Sequence, residues 1–442
     1  MSNLETPQPA RPAQSSRMPI AKEVYYKPEY VALEKERLWS RVWQVACRVE
    51  ELRKAGDFVT YDIGDESIIV LRSRDGSIRA FHNVCQHRGR RLTEGCGHME
   101  TIRCRFHGWT WRLDGTNSHV TQKEDWSGEL DGEDLSLPSV HVDTWGGFVF
   151  INLNPNCEPL ATYLEEIADI LKVFRLDLMR YRWRKWLIMP CNWKIALEAF
   201  NEGYHVAITH HQLNRFGMDH FLSRVHGKHS MFGAALNAGI LGTGTSKESV
   251  DIRGSLGKFY EYMKGALDSN MTDTLMQVSA RLTETVPAGT PPGAVLESFT
   301  RMIIETDAAR GVEWPPITAE EYGKAGIDWH VFPNTVLLPM ATNCLGYRAR
   351  PNGNDPDSCI FEVYHLERFP SGEEPQVVNL RNDDIHDTAF WGEILLQDFQ
   401  QMEATHRGIK SQGFRGPRYN PKQETPILNF HRVYHEYLSN PA

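Results

Sequence analysis

Eight cysteines and 18 histidines are spread thinly through 442 residues, but four of them fall into a pattern that can bind metal. Cys85-Gln86-His87 is followed, sixteen residues on, by Cys104-Arg105-Phe106-His107. Two loops that each give one thiolate and one imidazole can clamp a compact centre between them. A [2Fe–2S] cluster in which one iron takes two Cys and the other two His needs this donor set, and the imidazoles raise its potential. Zinc competes for Cys and His, but zinc modules usually open with C-x2–4-C and close with H-x3–5-H, which this spacing does not. Gly89 and Gly108 allow tight turns that aim backbone N–H groups at sulfur. Cys96 and His98 lie between the pairs, out of register, and read as bystanders. Arg88, Arg90, Arg91, Arg103 and Arg105 make the region basic, either as solvated surface or as a docking patch for an acidic electron donor.

A second constellation lies between Glu198 and His210. A helix over Asn192–Tyr204 would put Glu198, Glu202 and His205 along one side, at spacings of four and three. His210 comes five residues after His205, so the helix must end or bulge near Val206 if both imidazoles bind one ion. A late amphipathic helix, about Thr388 to Gly408, turns Trp391, Ile394, Leu395, Phe399 and Met402 inward, with Asp398 inside that apolar stripe. A bare buried carboxylate costs several kcal/mol, so Asp398 must be neutralised, paired or bound to metal. Two His and one carboxylate form the facial set of non-haem Fe(II) sites, with positions left open for O2 and substrate. An ion pair of Asp398 with Arg407 or Lys410 is the competing reading. Asp383, Asp384 and Asp387 sit in a polar turn and read as solvated.

These residues need elements to hold them. From Val42 to Ile151 short β-rich runs alternate with turns such as Gly64-Asp65, Asp75-Gly76 and Asp114-Gly115, which predicts a small all-β domain. Helical periodicity begins at Tyr163–Phe174, and strand-like runs return at Val336–Leu338 and Ile360–Tyr364. With 41% hydrophobic and 24% charged residues, the chain has a globular composition. A net charge of -9 argues against a nucleic-acid binder. No run approaches the roughly 20 apolar residues of a membrane helix. Residues 1–20 read as a flexible tail without an export signal, and the sparse cysteines fit a reducing, cytoplasmic setting.

The chain resembles the catalytic α subunits of Rieske non-haem iron oxygenases, the aromatic-ring-hydroxylating dioxygenases and their relatives. The resemblance runs from about residue 25 to 415. It is carried by Cys85-Gln86-His87-Arg88-Gly89, Cys104-Arg105-Phe106-His107-Gly108-Trp109, Asn192-Trp193-Lys194 leading into Glu198–His210, Phe332-Pro333-Asn334, and Asp398 with Glu403, Gly408 and Ser411.

That resemblance implies an α+β fold: a small all-β Rieske [2Fe–2S] domain over 40–155, and a catalytic domain over 21–39 and 156–442. The catalytic domain would be an antiparallel sheet wrapped by helices, of the helix-grip, START-like kind. Cys85, His87, Cys104 and His107 would hold the cluster; His205, His210 and Asp398 would hold mononuclear Fe(II). Glu202 matches the catalytic acid that links cluster ligand His107 of one subunit to His205 of the next, where most relatives carry Asp. Ala199 replaces an Asn frequent in the dioxygenases. The resemblance further implies a homotrimer, α3 or, with a β subunit, α3β3. It would use O2 and NAD(P)H-derived electrons delivered by a ferredoxin or flavin reductase. Apolar residues such as Phe216, Met218, Phe221, Phe232, Leu236 and Leu241 point to an apolar substrate, aromatic or polycyclic, for hydroxylation or dihydroxylation. Monooxygenation or oxidative demethylation uses the same ligands. A protein that only transfers electrons would keep the cluster alone.

Overall fold

The computed structural model describes residues 20–216, 221–234, 251–376 and 378–440. All but the last residue of the expected tail, and Met218, Leu236 and Leu241, lie outside them.

The short alternating runs form ten strands: β1 (Gln44–Arg48), β2 (Asp57–Ile63), β3 (Glu66–Arg72), β4 (Ile78–His82), β5 (Cys96–His98), β6 (Ile102–Arg103), β7 (Thr110–Trp111), β8 (Asn117–His119), β9 (Ser139–Trp145) and β10 (Phe148–Asn152). Seven make one sheet in the order β1-β10-β9-β4-β3-β2-β5, and β6-β7-β8 make a small second one. Alternation along a strand decides which core each residue joins. Ile68 and Val70 of β3 join the main core of the molecule. Ile69 and Leu71, on the other face, join a separate core with Phe58, Phe81, Trp109, Trp111, Cys85 and Cys104. Cys85 and Cys104 therefore rest on a dedicated apolar base between the two sheets.

The later strands form the third sheet: β11 (Arg180–Met189), β12 (Phe221–His226), β13 (His229–Ala234), β14 (Asp328–Val331), β15 (Thr335–Pro339), β16 (Asn343–Asn352), β17 (Asp355–Glu367) and β18 (Asn379–Arg381). Their order is β12-β13-β14-β15-β16-β17-β11-β18. Every pairing is antiparallel except β11 with β18, which is parallel. One face carries Tyr347 and Phe361, on which Phe200 stacks at 4.0 and 5.4 Å. The other face turns toward β1. There Glu362 is buried between Arg184 (2.5 Å) and Arg348 (2.6 Å), and Arg184 also reaches Glu51 at 2.8 Å. Arg348 donates to the Ala46 carbonyl at 3.3 Å, which ties the third sheet to the first.

Several expected elements differ in detail. Tyr163–Phe174 is not one helix: Glu165, at φ 54°, separates Leu160–Leu164 from Ile167–Leu171. The late helix breaks at Gly392 (φ 81°) into Thr388–Trp391 and Glu393–Ile409. The Asn192–Tyr204 helix stops at Glu198, a correction that matters at the site. Among the described residues no helix is long and apolar enough to cross a membrane.

Candidate metal centres

The two Cys/His loops share one hydrogen-bonded frame. In the first, Cys85 N–H donates to Arg90 O (2.9 Å) and Gly89 N–H to Cys85 O (3.0 Å). In the second, Cys104 N–H donates to Trp109 O (2.9 Å) and Gly108 N–H to Cys104 O (3.0 Å). Gly89 (φ 72°) and Gly108 (φ 79°) close the turns in the left-handed region, where glycine is favoured. Backbone N–H groups of His87 and Arg88 point at the Cys85 sulfur, and those of Phe106 and His107 at the Cys104 sulfur. His stands third in one frame and fourth in the other, and the two imidazoles still meet with ring centroids 4.7 Å apart. His107 Nδ1 is buried without a hydrogen-bond partner among the described residues. Two thiolates facing N–H donors and an orphaned imidazole nitrogen are what a mixed Cys/His cluster requires, so the donor set fits.

Sequence reading passed over the aromatic box around His87. Trp109 stacks on its ring at 5.1 Å and 8°, and Trp126 meets it edge-on at 5.7 Å. Trp126 lies on a short 3-10 turn, Lys123–Trp126, flanked by Gln122 and Ser127 at positive φ. No spacing rule points to it. Cys96 and His98 sit on β5, with His98 turned to Asp57 at 3.0 Å and away from the ligands.

The second constellation closes differently from the helical expectation. Asn192 caps the Trp193–Glu198 helix by accepting from the Lys194 N–H, and the chain runs through turns and bends from Ala199 to His205. One further helical turn, Val206–Thr209, then carries His205 before its first residue and His210 after its last. The break thus precedes His205 rather than following it, and a single turn brings both rings together with centroids 5.2 Å apart. Asp398 comes from the Glu393–Ile409 helix, 3% exposed. Its Oδ1 lies 2.9 Å from His210 Nε2 and 3.6 Å from His205 Nε2. Arg407 and Lys410 instead pair with Glu403 and Asp357. One ligand atom from each of His205, His210 and Asp398 falls within 4.8 Å of the others, so the donor set can hold an ion.

Each imidazole is held from behind. Glu202 Oε1 accepts from His205 Nδ1 at 2.6 Å, and Gln397 Oε1 accepts from His210 Nδ1 at 2.7 Å. Nδ1–H donation leaves Nε2 free to bind metal and fixes the ring plane, the usual outer-shell arrangement around metal-binding histidines. Glu202 Oε2 accepts the backbone N–H of His205 (3.1 Å) and that of Tyr204, locking the acid in its loop. Burial disfavours a charged His205, but the Glu202 and Asp398 carboxylates outweigh it and raise its pKa. Gln397 and its partner Gln212 (2.9 Å) carry no signal in the sequence beyond adjacency to Asp398 and His210.

These features define a class: an iron–sulfur protein with a second, mononuclear metal centre on a helix-covered sheet. Residues 176–440 match the family model of the ring hydroxylating alpha subunit (catalytic domain), and residues 42–139 match the Rieske [2Fe-2S] domain. The chain belongs to this ring-hydroxylating alpha-subunit family. It is 32% identical over 204 residues to the benzene 1,2-dioxygenase subunit alpha of Pseudomonas putida, covering 43% of this chain and 44% of that protein. To the carnitine monooxygenase oxygenase subunit of Escherichia coli (strain K12) it is 34% identical over 180 residues, 40% of this chain and 48% of that one. The matched stretch spans less than half the length of these curated relatives. Naphthalene 1,2-dioxygenase with indole bound shares the fold at TM-score 0.68 and 19% identity, over 98% of this chain and 95% of the other. A quaternary ammonium Rieske monooxygenase in complex with L-carnitine shares it at TM-score 0.64 and 19% identity, over 95% of both.

Proposed function

We propose that the chain is the oxygenase component of a Rieske system that hydroxylates an apolar organic substrate with O2. The convergence of His205, His210 and Asp398, each imidazole braced through Nδ1, carries this reading. When bound, the cluster would supply single electrons and the ferrous ion would activate O2. Cys85, His87, Cys104 and His107 hold the first group; His205, His210 and Asp398 hold the second. Glu202 keeps the His205 Nδ1 proton, and Gln397 that of His210. Phe200 stacks on Tyr347 and Phe361 where the Trp193–Glu198 helix packs on the sheet. In this reading residues 40–155 are the cluster domain, and 21–39 with 156–442 the catalytic one.

A ring of three subunits fits the surface chemistry. Phe106 (56% exposed) stands on a cluster loop, while Tyr204 (52%) and Ile208 (82%) stand beside the triad. Large apolar side chains left on the surface at both centres mark contact faces. Glu202 would then join His205 to the partner subunit's cluster loop. The cationic loop around Arg88 and Arg105 suits an acidic ferredoxin or a flavin reductase.

The relatives include both a dioxygenase and a monooxygenase, so monooxygenation, oxidative demethylation included, is the second reading. One or two 18O atoms per product from 18O2 separate the two. The test of the oxygenase itself is iron and acid-labile sulfide per chain after anaerobic purification. About three irons and two sulfides are expected, falling to about two irons in His205→Ala with sulfide unchanged. About two irons in both proteins would make it an electron carrier, and zinc without sulfide would sink the reading.

A further inference from the structure

A hollow of about 360 Å³ opens on the seam between the first and third sheets. Arg53, just after the Val49–Glu51 turn, and Arg72, the last residue of β3, line it from the side of the first sheet. Arg180, the first residue of β11, lines it from the side of the third. Arg72 pairs with Ile78 at the start of β4, whereas Cys85 follows the other end of that strand. The hollow therefore lies away from the cluster loops and from the cationic surface around Arg88 and Arg105.

Two of the three carboxylates in its wall are already engaged. Glu50 accepts from Arg48 Nε at 3.0 Å and from the Tyr181 N–H at 3.2 Å. Asp177 is gripped by Nε and Nη2 of Arg175, each at 3.1 Å. Glu374 is left without an ion pair among the described residues, and its Oε2 accepts only the Gly372 N–H, at 2.9 Å.

Arg53, Arg72 and Arg180 likewise pair with no carboxylate among the described residues. Backbone carbonyls tether them instead. Arg53 Nε donates to Glu50 O at 3.1 Å, and Arg72 donates to Leu52 O and, at 2.7 Å, to Gly76 O. Arg180 Nη1 donates to Asp177 O (2.8 Å) and Met179 O (2.9 Å). Each guanidinium keeps further N–H groups for a partner from outside the chain. Gathering three like charges around one hollow costs free energy, and a chain of net charge -9 has no surplus of cations that would force it. Side chains tethered beforehand lose little more freedom on binding, so such forks are preorganised for an anion. Three guanidinium groups against one free carboxylate leave two positive charges to be met. A carboxylate ligand brings one charge and two oxygens. A phosphate dianion brings both charges and oxygens enough for three forks.

We propose that this hollow binds a phosphate dianion, which bridges the first and third sheets through Arg53, Arg72 and Arg180. Free phosphate and the phosphate monoester of a small molecule share that chemistry. The test is calorimetric titration of the full-length, metal-loaded protein with inorganic phosphate and, separately, with phenyl phosphate, at about pH 8 and fixed ionic strength. One site per chain is expected, with a dissociation constant below about 1 mM for at least one probe. Tighter binding of inorganic phosphate would assign the site to the free ion, and tighter binding of phenyl phosphate to an ester. Affinity should fall at least about tenfold in Arg53→Gln and in Arg72→Gln. Arg53 is exposed, so its replacement leaves the fold intact and keeps the comparison decisive. No saturable binding of either probe, or an affinity that survives in either folded variant, would overturn the site.

Discussion

His210 is oriented by an atom that no ligand search would select. Its Nδ1 donates to Gln397 Oε1, and the same oxygen accepts from Gln212. Replacing Gln397 by Leu removes that acceptor, frees the ring to rotate and leaves Nδ1–H unpaired. Outer-shell losses of this kind cost roughly 10–100-fold in metal affinity. Gln397→Leu should therefore yield its mononuclear iron to a chelator at a correspondingly lower concentration, with sulfide content unchanged. An unaltered competition curve would reduce Gln397 to a bystander. Glu202 plays the same part at His205 but is legible in the sequence, because it lies three residues away on the same loop.

At the scale of elements, the helix carrying Asp398 is seated by Gly392. This residue adopts φ 81°, and a Cβ on it would collide with the Ala266 carbonyl oxygen of the Ile252–Ala266 helix. Neither the dihedral nor the contact tolerates a side chain. Gly392→Ala should lower the unfolding free energy by about 2–4 kcal/mol, read as an earlier denaturant midpoint. Gly408, on the same helix, has nothing within 4 Å of its would-be Cβ. Gly408→Ala should raise stability by about 0.5–1 kcal/mol through helix propensity alone. Equal effects at the two sites would mean that the Ala266 contact does not seat the helix. The break at Glu198 works likewise: a helix continued through Tyr204 would have carried His205 round the axis, away from His210.

For the whole molecule, acid sensitivity follows from histidines buried in neutral form. Burial pushes His229 down to about 4, and His330 and His365 down to about 3. In the unfolded chain each titrates near 6.5. Depressed folded values contribute stability that is present above about pH 6.5 and lost as pH falls toward 3–4. Near pH 5 the three give a slope of about 4 kcal/mol per pH unit. The urea midpoint should fall steeply from pH 7 to pH 5. A flat profile would show that these histidines ionise in place.

The sequence by itself determined the donor types and the shape of each local loop. Ligand spacing within Cys85–His87 and Cys104–His107, and within His205–His210, is a matter of at most five residues, so backbone geometry and glycine placement settle it. The continuous apolar run Ile68-Ile69-Val70-Leu71 likewise makes β3 a strand buried on both faces. Only the tertiary structure decided what meets across the chain. Asp398 reaches His210 because the Glu393–Ile409 helix covers one face of an eight-stranded sheet whose order departs from chain order. Gln397 and Trp126 acquired their roles from the same long-range packing.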